Sequence, residues 1–332
     1  MQASAEPCAG EVAPAVEQPT ATRFAPHIRL RAERVMRVSR VVSDLDRAEE
    51  FYAVALDFRT AARGAVETEQ LWALGARYVT ARQVVMRLGE EEIALVQFSS
   101  PGRPYPLDSR SDDLWFQHIA LVVDDMDGAY RQLVRHSGWM PISVGGPQLL
   151  PPASGSVRAF KFRDPDGHPL ELLWFPPAAQ PLWHERALAG PRRTFLGIDH
   201  IALAVRSTRM SLGFYRTLGM RLTHRSLNRG TAQANLDHLP AARVRVTGLR
   251  PAAESGPGIE LLAYRPPGRS PAARLVSDLA SEWVTLAFGA GEAGSDSAAA
   301  RRTQRRRPVA LLDPDGHRLL LVDQSADRAS PA

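Results

Sequence analysis

Asp164-Pro165-Asp166-Gly167-His168 returns later in the chain as Asp313-Pro314-Asp315-Gly316-His317. Each copy stands between two short apolar runs, residues 159–163 and 170–175 around the first, 309–312 and 319–322 around the second. Asp, Pro and Gly each favour turn geometry, so each copy reads as a tight turn joining two strands. A second repeat agrees. Pro101-Gly102-Arg103 before Asp113-Leu114 matches Pro267-Gly268-Arg269 before Asp278-Leu279. Both pieces share an offset of about 165 residues, and self-similarity at a fixed offset marks an architecture of repeated units.

Working outward, four units emerge. The first opens with a strand at 35–42. Asp44 follows as an N-cap, with Leu45, Ala48, Phe51, Tyr52 and Ala55 at helical spacing. Strands at 84–88 and 93–98 close it. The second has a strand at 116–123, a helix opened by Asp125 and Met126, and the strands around the first turn. The third has a strand at 198–205, a helix carrying Leu212, Phe214, Tyr215 and Leu218 that ends at Gly219, and strands at 244–249 and 259–264. The fourth begins at 283–288 and finishes around the second turn; its middle, 289–308, is degenerate. The expected organisation is a loose Ala/Pro/Glu-rich arm at 1–33 and a two-unit domain at 34–176 (units 34–100 and 114–176). A Pro/Ala-rich linker at 177–195 then leads to a second two-unit domain at 196–325 (units 196–266 and 279–325).

Composition bounds the function. The 332 residues are 44% hydrophobic and 23% charged, enough apolar content for a full core. The net charge is +5. The basic run Arg301-Arg302-Thr303-Gln304-Arg305-Arg306-Arg307 has no interleaved aromatic residue, so it reads as a solvated loop and not as a nucleic-acid surface. The single cysteine, Cys8, excludes an intrachain disulfide and a cysteine-rich zinc site. No apolar run approaches membrane-spanning length, and no basic start precedes an apolar segment. The expected setting is the cytoplasm, or outside it if a signal was removed before residue 1. The expected assembly is a monomer or homodimer.

His118-Ile119-Ala120-Leu121-Val122-Val123-Asp124-Asp125 and Asp199-His200-Ile201-Ala202-Leu203-Ala204-Val205 resemble the first strand of the vicinal oxygen chelate superfamily. Phe214-Tyr215-Arg216-Thr217-Leu218-Gly219-Met220 resembles its helix end, and 164–172 its last hairpin. The superfamily includes glyoxalase I, methylmalonyl-CoA epimerase, extradiol ring-cleaving dioxygenases and bleomycin-resistance proteins. The resemblance spans about residues 34 to 324. It implies an α+β fold of four βαβββ modules forming two half-open mixed β-sheet cavities. It also implies one divalent metal ion (Zn, Ni, Mn or Fe(II)) held from the first and last strands of paired modules. Carried over by position, module one offers Arg37 and Ala94, module two His118 and Glu171, module three His200 and Glu260, and module four Trp283 and Leu320.

Only the inner two modules hold ligating side chains, since Ala, Trp and Leu cannot bind a metal and a guanidinium only donates. Chain-order pairing would give each cavity two ligands. Crossed pairing would bring His118, Glu171, His200 and Glu260 into one, a set suited to a divalent ion with room for substrate oxygens. Four-module glyoxalase I enzymes resemble the crossed arrangement, and four-module extradiol dioxygenases the other. The expected activity is that of a metal-dependent lyase or isomerase of glyoxalase or epimerase type. It would act on a small molecule with adjacent oxygens, with Glu171 or Glu260 moving the proton; the residues do not choose between them. A Fe(II)- or Mn(II)-dependent dioxygenase and a non-enzymatic small-molecule-binding protein stay open on the same scaffold. His168 and His317 read as turn residues, and His238 as a weak candidate for the pocket border.

Overall fold

A computed structural model describes residues 30–177, 179–189, 192–251, 256–270, 272–290 and 307–323. Cys8, most of the arm and Arg301–Arg306 of the basic run lie outside the described residues.

Module one comprises β1 (Leu30–Val41), α1 (Leu45–Leu56), β2 (Arg59–Ala65), α2 (Thr68–Ala73), β3 (Ala81–Leu88) and β4 (Glu91–Phe98). Module two comprises β5 (Gln117–Val123), α3 (Met126–Val134), the short strands β6 (Met140–Pro141) and β7 (Gln148–Leu149), β8 (Arg158–Arg163) and β9 (Pro169–Trp174). After α4 (Pro181–Leu188), module three comprises β10 (Phe195–Ala204), α5 (Thr208–Thr217), β11 (Arg221–Arg229), α6 (Thr231–Asp237), β12 (Arg243–Arg250) and β13 (Gly258–Tyr264). Module four supplies β14 (Glu282–Ala290), β15 (Val309–Leu312) and β16 (Arg318–Asp323). The three long helices start where side-chain acceptors sit. Asp44 accepts from the amide of Arg47, Asp125 from Asp127 and Gly128, and Ser207 from Met210.

The modules pair crosswise. One sheet runs β15-β16-β14-β1-β4-β3-β2 and joins modules four and one; the other runs β11-β12-β13-β10-β5-β9-β8-β6 and joins three and two. β1 lies antiparallel to β14, and β5 antiparallel to β10. Neither sheet closes into a barrel. One large core lies between the sheets and the helices, holding Val38, Tyr52, Ile93, Ile119, Leu121, Leu170, Ile201, Tyr215, Ile259, Leu286 and Leu319 among others.

Both sequence repeats are clasps. Arg103 donates to Asp278 through its backbone N–H and its guanidinium, and Arg269 does the same to Asp113; both aspartates are buried. Each clasp ties together two modules that share a sheet. A Cβ on Gly102 would stand 2.4 Å from the Ser277 carbonyl oxygen, and one on Gly268 2.5 Å from that of Asp112, so only glycine fits either approach. The closing turns reach the other way. Asp164 caps its own turn through the amides of Asp166 and His168 and accepts from the Tyr52 hydroxyl of module one. Asp313 caps the amides of Asp315 and His317 and accepts from Tyr215 of module three.

Two expectations need correction. Residues 30–33, assigned to the arm, already belong to β1, which extends to meet β14. Residues 181–188 of the linker form a helix, since Pro181 suits the first helical turn and Trp183 has a buried face to cover. Two strands, β2 and β11, lie where the sequence shows no alternation of apolar and polar residues.

Candidate metal centre

The site is a consequence of register. On the antiparallel ladder, His118 lies opposite Ala202 and His200 opposite Ala120. On the flanking parallel ladders, Glu171 lies beside Ala120 and Glu260 beside Ala202. Side chains alternate along a strand, so Leu170, Leu172, Ile259 and Leu261 enter the core while the carboxylates between them take the concave face. Two alanines at the centre leave room for four long polar side chains to converge.

Their heads meet. His118 Nε2 is 3.1 Å from Glu171 Oε2. His200 Nε2 is 3.9 Å from the same oxygen and 3.4 Å from Glu260 Oε2. Atoms bound to one metal at about 2.0–2.2 Å stand about 3–3.5 Å apart in an octahedral or tetrahedral shell, so these spacings approach those of a coordination sphere. Buried His200 Nε2 has no hydrogen-bond partner, the sign of a donor placed for something other than protein. His118, Glu171 and His200 form a buried cluster that could chelate a divalent ion. Glu260 stands at its edge, turned partly toward His224, whose Nε2 is 3.0 Å from Glu260 Oε1. The four heads open into a cavity of about 560 Å³ that Leu150, Leu173, Leu236, Val244 and Val246 line in part.

A second set of residues orients the first. Asp199 Oδ2 holds His200 Nδ1 at 2.9 Å, leaving Nε2 toward the cavity. Trp183 on α4 donates to the other oxygen of Asp199 at 3.0 Å, so the helix inside the expected linker supports the site. Lys161 lies opposite Glu171 on the neighbouring strand. Its buried ammonium donates to Asp237 at 2.7 Å, and Gln233 donates to the other oxygen of Asp237.

The charges are strongly shaped. Burial pushes the Glu171 carboxyl up, but Lys161, His118 and His200 overcome it and hold it down at about 2. Burial, with the Lys161 charge, brings His118 down to about 4. Burial also works against the His200 cation, but Glu260, Asp199 and Glu171 outweigh it and raise the group to about 9. Glu260 is lowered: burial opposes this, and His200 and His224 prevail.

The other candidates lie elsewhere. His168 and His317 are buried turn residues whose Nε2 atoms face the carbonyl oxygens of Leu279 and Ala204. His238 is the left-handed C-cap of α6 and does not line the cavity. In the sheet of modules one and four, Ala94, Trp283 and Leu320 are buried among Met36, Leu71, Leu74 and Val276, and Arg37 pairs with Glu92 at 3.8 Å. Lys161, Asp199, Asp237, Trp183 and His224 were not anticipated. Only the alternation of charged and aromatic residues in Phe160-Lys161-Phe162 hints at a lysine facing away from a core.

Residues 34–172 match the model of the Glyoxalase/Bleomycin resistance protein/Dioxygenase superfamily. Over those residues the chain is similar to that superfamily. Its fold is similar to that of glyoxalase I from Zea mays, with a TM-score of 0.53 at 16% identity over 89% of this chain and 94% of that one. Two single-residue mutants of the same maize enzyme give 0.57 at 16% identity (89% and 94% covered) and 0.54 at 17% (91% and 96%). No curated protein sequence matches the chain. At these identities the likeness shows the fold alone, and the site rests on the geometry above.

Proposed function

We propose that the cavity of modules two and three holds one divalent metal on His118, Glu171, His200 and Glu260. The proposed reaction is a lyase or isomerase step of glyoxalase or epimerase type on a small molecule with adjacent oxygens. The observation that carries this reading is the convergence of two imidazoles and two carboxylates at the floor of the larger cavity. A bound divalent ion supplies Lewis-acid polarisation of substrate oxygens.

The chain's own groups divide the remaining work. Asp199 keeps the His200 ring in one orientation, and Lys161 keeps Glu171 ionised. Leu150, Leu173, Leu236, Val244 and Val246 supply apolar wall to the same cavity. Glu260 is assigned as the proton carrier. Glu171 is wedged between two imidazoles beside an ammonium, and these partners hold it in place. Glu260 leans on His224, a half-exposed residue that can turn away. In this role its carboxylate would take a proton from a substrate carbon and return it to a neighbouring atom, so no proton would be gained or lost overall.

The test pairs Glu260→Gln and Glu171→Gln, with metal content and turnover of α-oxo hemithioacetals measured side by side. Glu260→Gln is expected to lose turnover by about 10²–10⁴ while keeping most of its metal. Glu171→Gln is expected to lose metal. Full turnover in Glu260→Gln sinks the assignment.

A second reading draws on the same cluster. His118, His200 and Glu171 are a two-histidine, one-carboxylate set of the kind that suits Fe(II) oxygenases. Oxygen consumption by iron-loaded protein separates the two. Protein without bound metal and without turnover would favour a small-molecule-binding role.

A further inference from the structure

We propose a second binding site, for a small ligand bearing a carboxylate or phosphate group, in a cleft apart from the metal cavity. The cleft has a volume of about 240 Å³ and is lined in part by Trp115, Gln117, Arg274, Glu282, His317 and Arg318. Gln117 precedes His118 in β5, so the two side chains leave opposite faces of one strand.

The cations here differ from the arginines that clasp the modules. Arg103 and Arg269 each hold a buried aspartate, and Arg40 holds Glu282 at 2.8 Å. Among the described residues, Arg274 and Arg318 form no ion pair. Arg274 Nη1 donates to the Ala280 carbonyl oxygen at 2.9 Å. Arg318 donates to Ser281 Oγ at 3.1 Å and to the Arg274 carbonyl oxygen at 2.8 Å. Both are half-buried. Burial and the proximity of Arg318 bring Arg274 down to about 10, and burial also lowers Arg318. Two half-buried guanidiniums next to each other, with no carboxylate in direct contact, favour an added anion. Glu282 also lines the cleft and its charge reaches Arg274, but its direct ion pair is with Arg40.

The walls agree with an acceptor-rich ligand. Trp115 offers its ring to Arg274, 5.4 Å from the centroid. Trp115 Nε1 and Gln117 Nε2 are shut off from solvent and have no acceptor. Both residues line the cleft, so a small turn of either side chain would bring its donor to a ligand oxygen there. The repeat shows that this site is not part of the shared scaffold. In the register that matches Asp278 to Asp113 and Leu320 to Glu171, the positions of Arg274 and Arg318 correspond to Ser109 and Pro169. The cations occur on one side only.

The test is calorimetric titration of the full chain with inorganic phosphate and, separately, succinate, at ionic strength matched with sodium chloride. Saturable binding of at least one probe is expected, with affinity lost at least about tenfold in Arg274→Gln/Arg318→Gln. Binding of phosphate alone assigns a phosphate group, and of succinate alone a carboxylate. His118→Ala, which disables the metal cavity, is expected to bind the probe as the wild type does. Should the double variant fail to fold, Trp115→Phe and Arg274→Lys are each expected to weaken binding several-fold. The proposal is overturned by the absence of saturable binding for both probes, by undiminished binding in the arginine variants, or by loss of binding in His118→Ala.

Discussion

The hydroxyl of Tyr52, on the helix of module one, donates to Asp164 in the closing turn of module two at 2.9 Å and accepts from buried Arg40 at the same distance. Modules one and two belong to different sheets, so this contact is one of those holding the sheets together. Its repeat partner is poorer: Tyr215 makes one bond of 3.3 Å to Asp313.

Tyr52→Phe should therefore destabilise the protein by about 2–3 kcal/mol, because it strips a charged donor and a charged acceptor of the same partner. Tyr215→Phe should cost about 1 kcal/mol. Urea unfolding of both variants checks the ranking. Equal losses would show that Arg40 does not depend on the hydroxyl.

Asp164 also sets an acid limit. Burial would raise its carboxyl, but the His168 cation and Arg40 bring it from 3.8 down to about 2. A depressed carboxyl contributes stability that is present above its unfolded value and lost as pH falls through its folded one. Unfolding free energy should fall by about 2 kcal/mol between pH 4 and pH 2, and Asp164→Asn should flatten that slope. An unchanged slope in the variant would assign the acid limb to other groups. His168 is raised in the fold despite burial, chiefly by Asp164. Its contribution is present below its usual 6.5 and lost as pH rises through the raised value.

Lys161 and Asp237 form a buried pair beside Glu171, so Lys161→Met should cost about 3–5 kcal/mol by leaving a carboxylate unpaired. Lys161→Met/Asp237→Leu should recover most of that loss, because an apolar pair of similar volume needs no hydration. A double variant as unstable as the single one would mean that Lys161 acts mainly through Glu171. Thermal and urea unfolding distinguish the cases.

The legible parts of the molecule carry local signals. The two DPDGH turns and the capping aspartates need only neighbours in sequence, and each forms where read. His118, Glu171, His200 and Glu260 stand out as polar residues in apolar strands, and their positions follow from period-two alternation. What stayed hidden depends on distant partners. β2 is exposed along its whole length and β11 along most of it, so neither shows the alternation that betrays a strand. Lys161 meets Asp237 across 76 residues of chain, and no local pattern announces that pairing. Trp183 lies in a stretch whose prolines and alanines suggest a plain connector. Crossed pairing is formed by the β1–β14 and β5–β10 ladders and clasped by Arg103 with Asp278 and Arg269 with Asp113, contacts visible in sequence only as an unexplained repeat.

Metal content tests the central claim most directly. Purified protein loaded with Zn, Ni, Mn or Fe(II), passed over a desalting column and assayed by mass spectrometry, should carry one ion per chain. His118→Ala and His200→Ala should each lose it, while Arg37→Ala, in the other sheet, should keep it. No stoichiometric ion in the wild type, or full retention in both histidine variants, would contradict a metal centre between modules two and three.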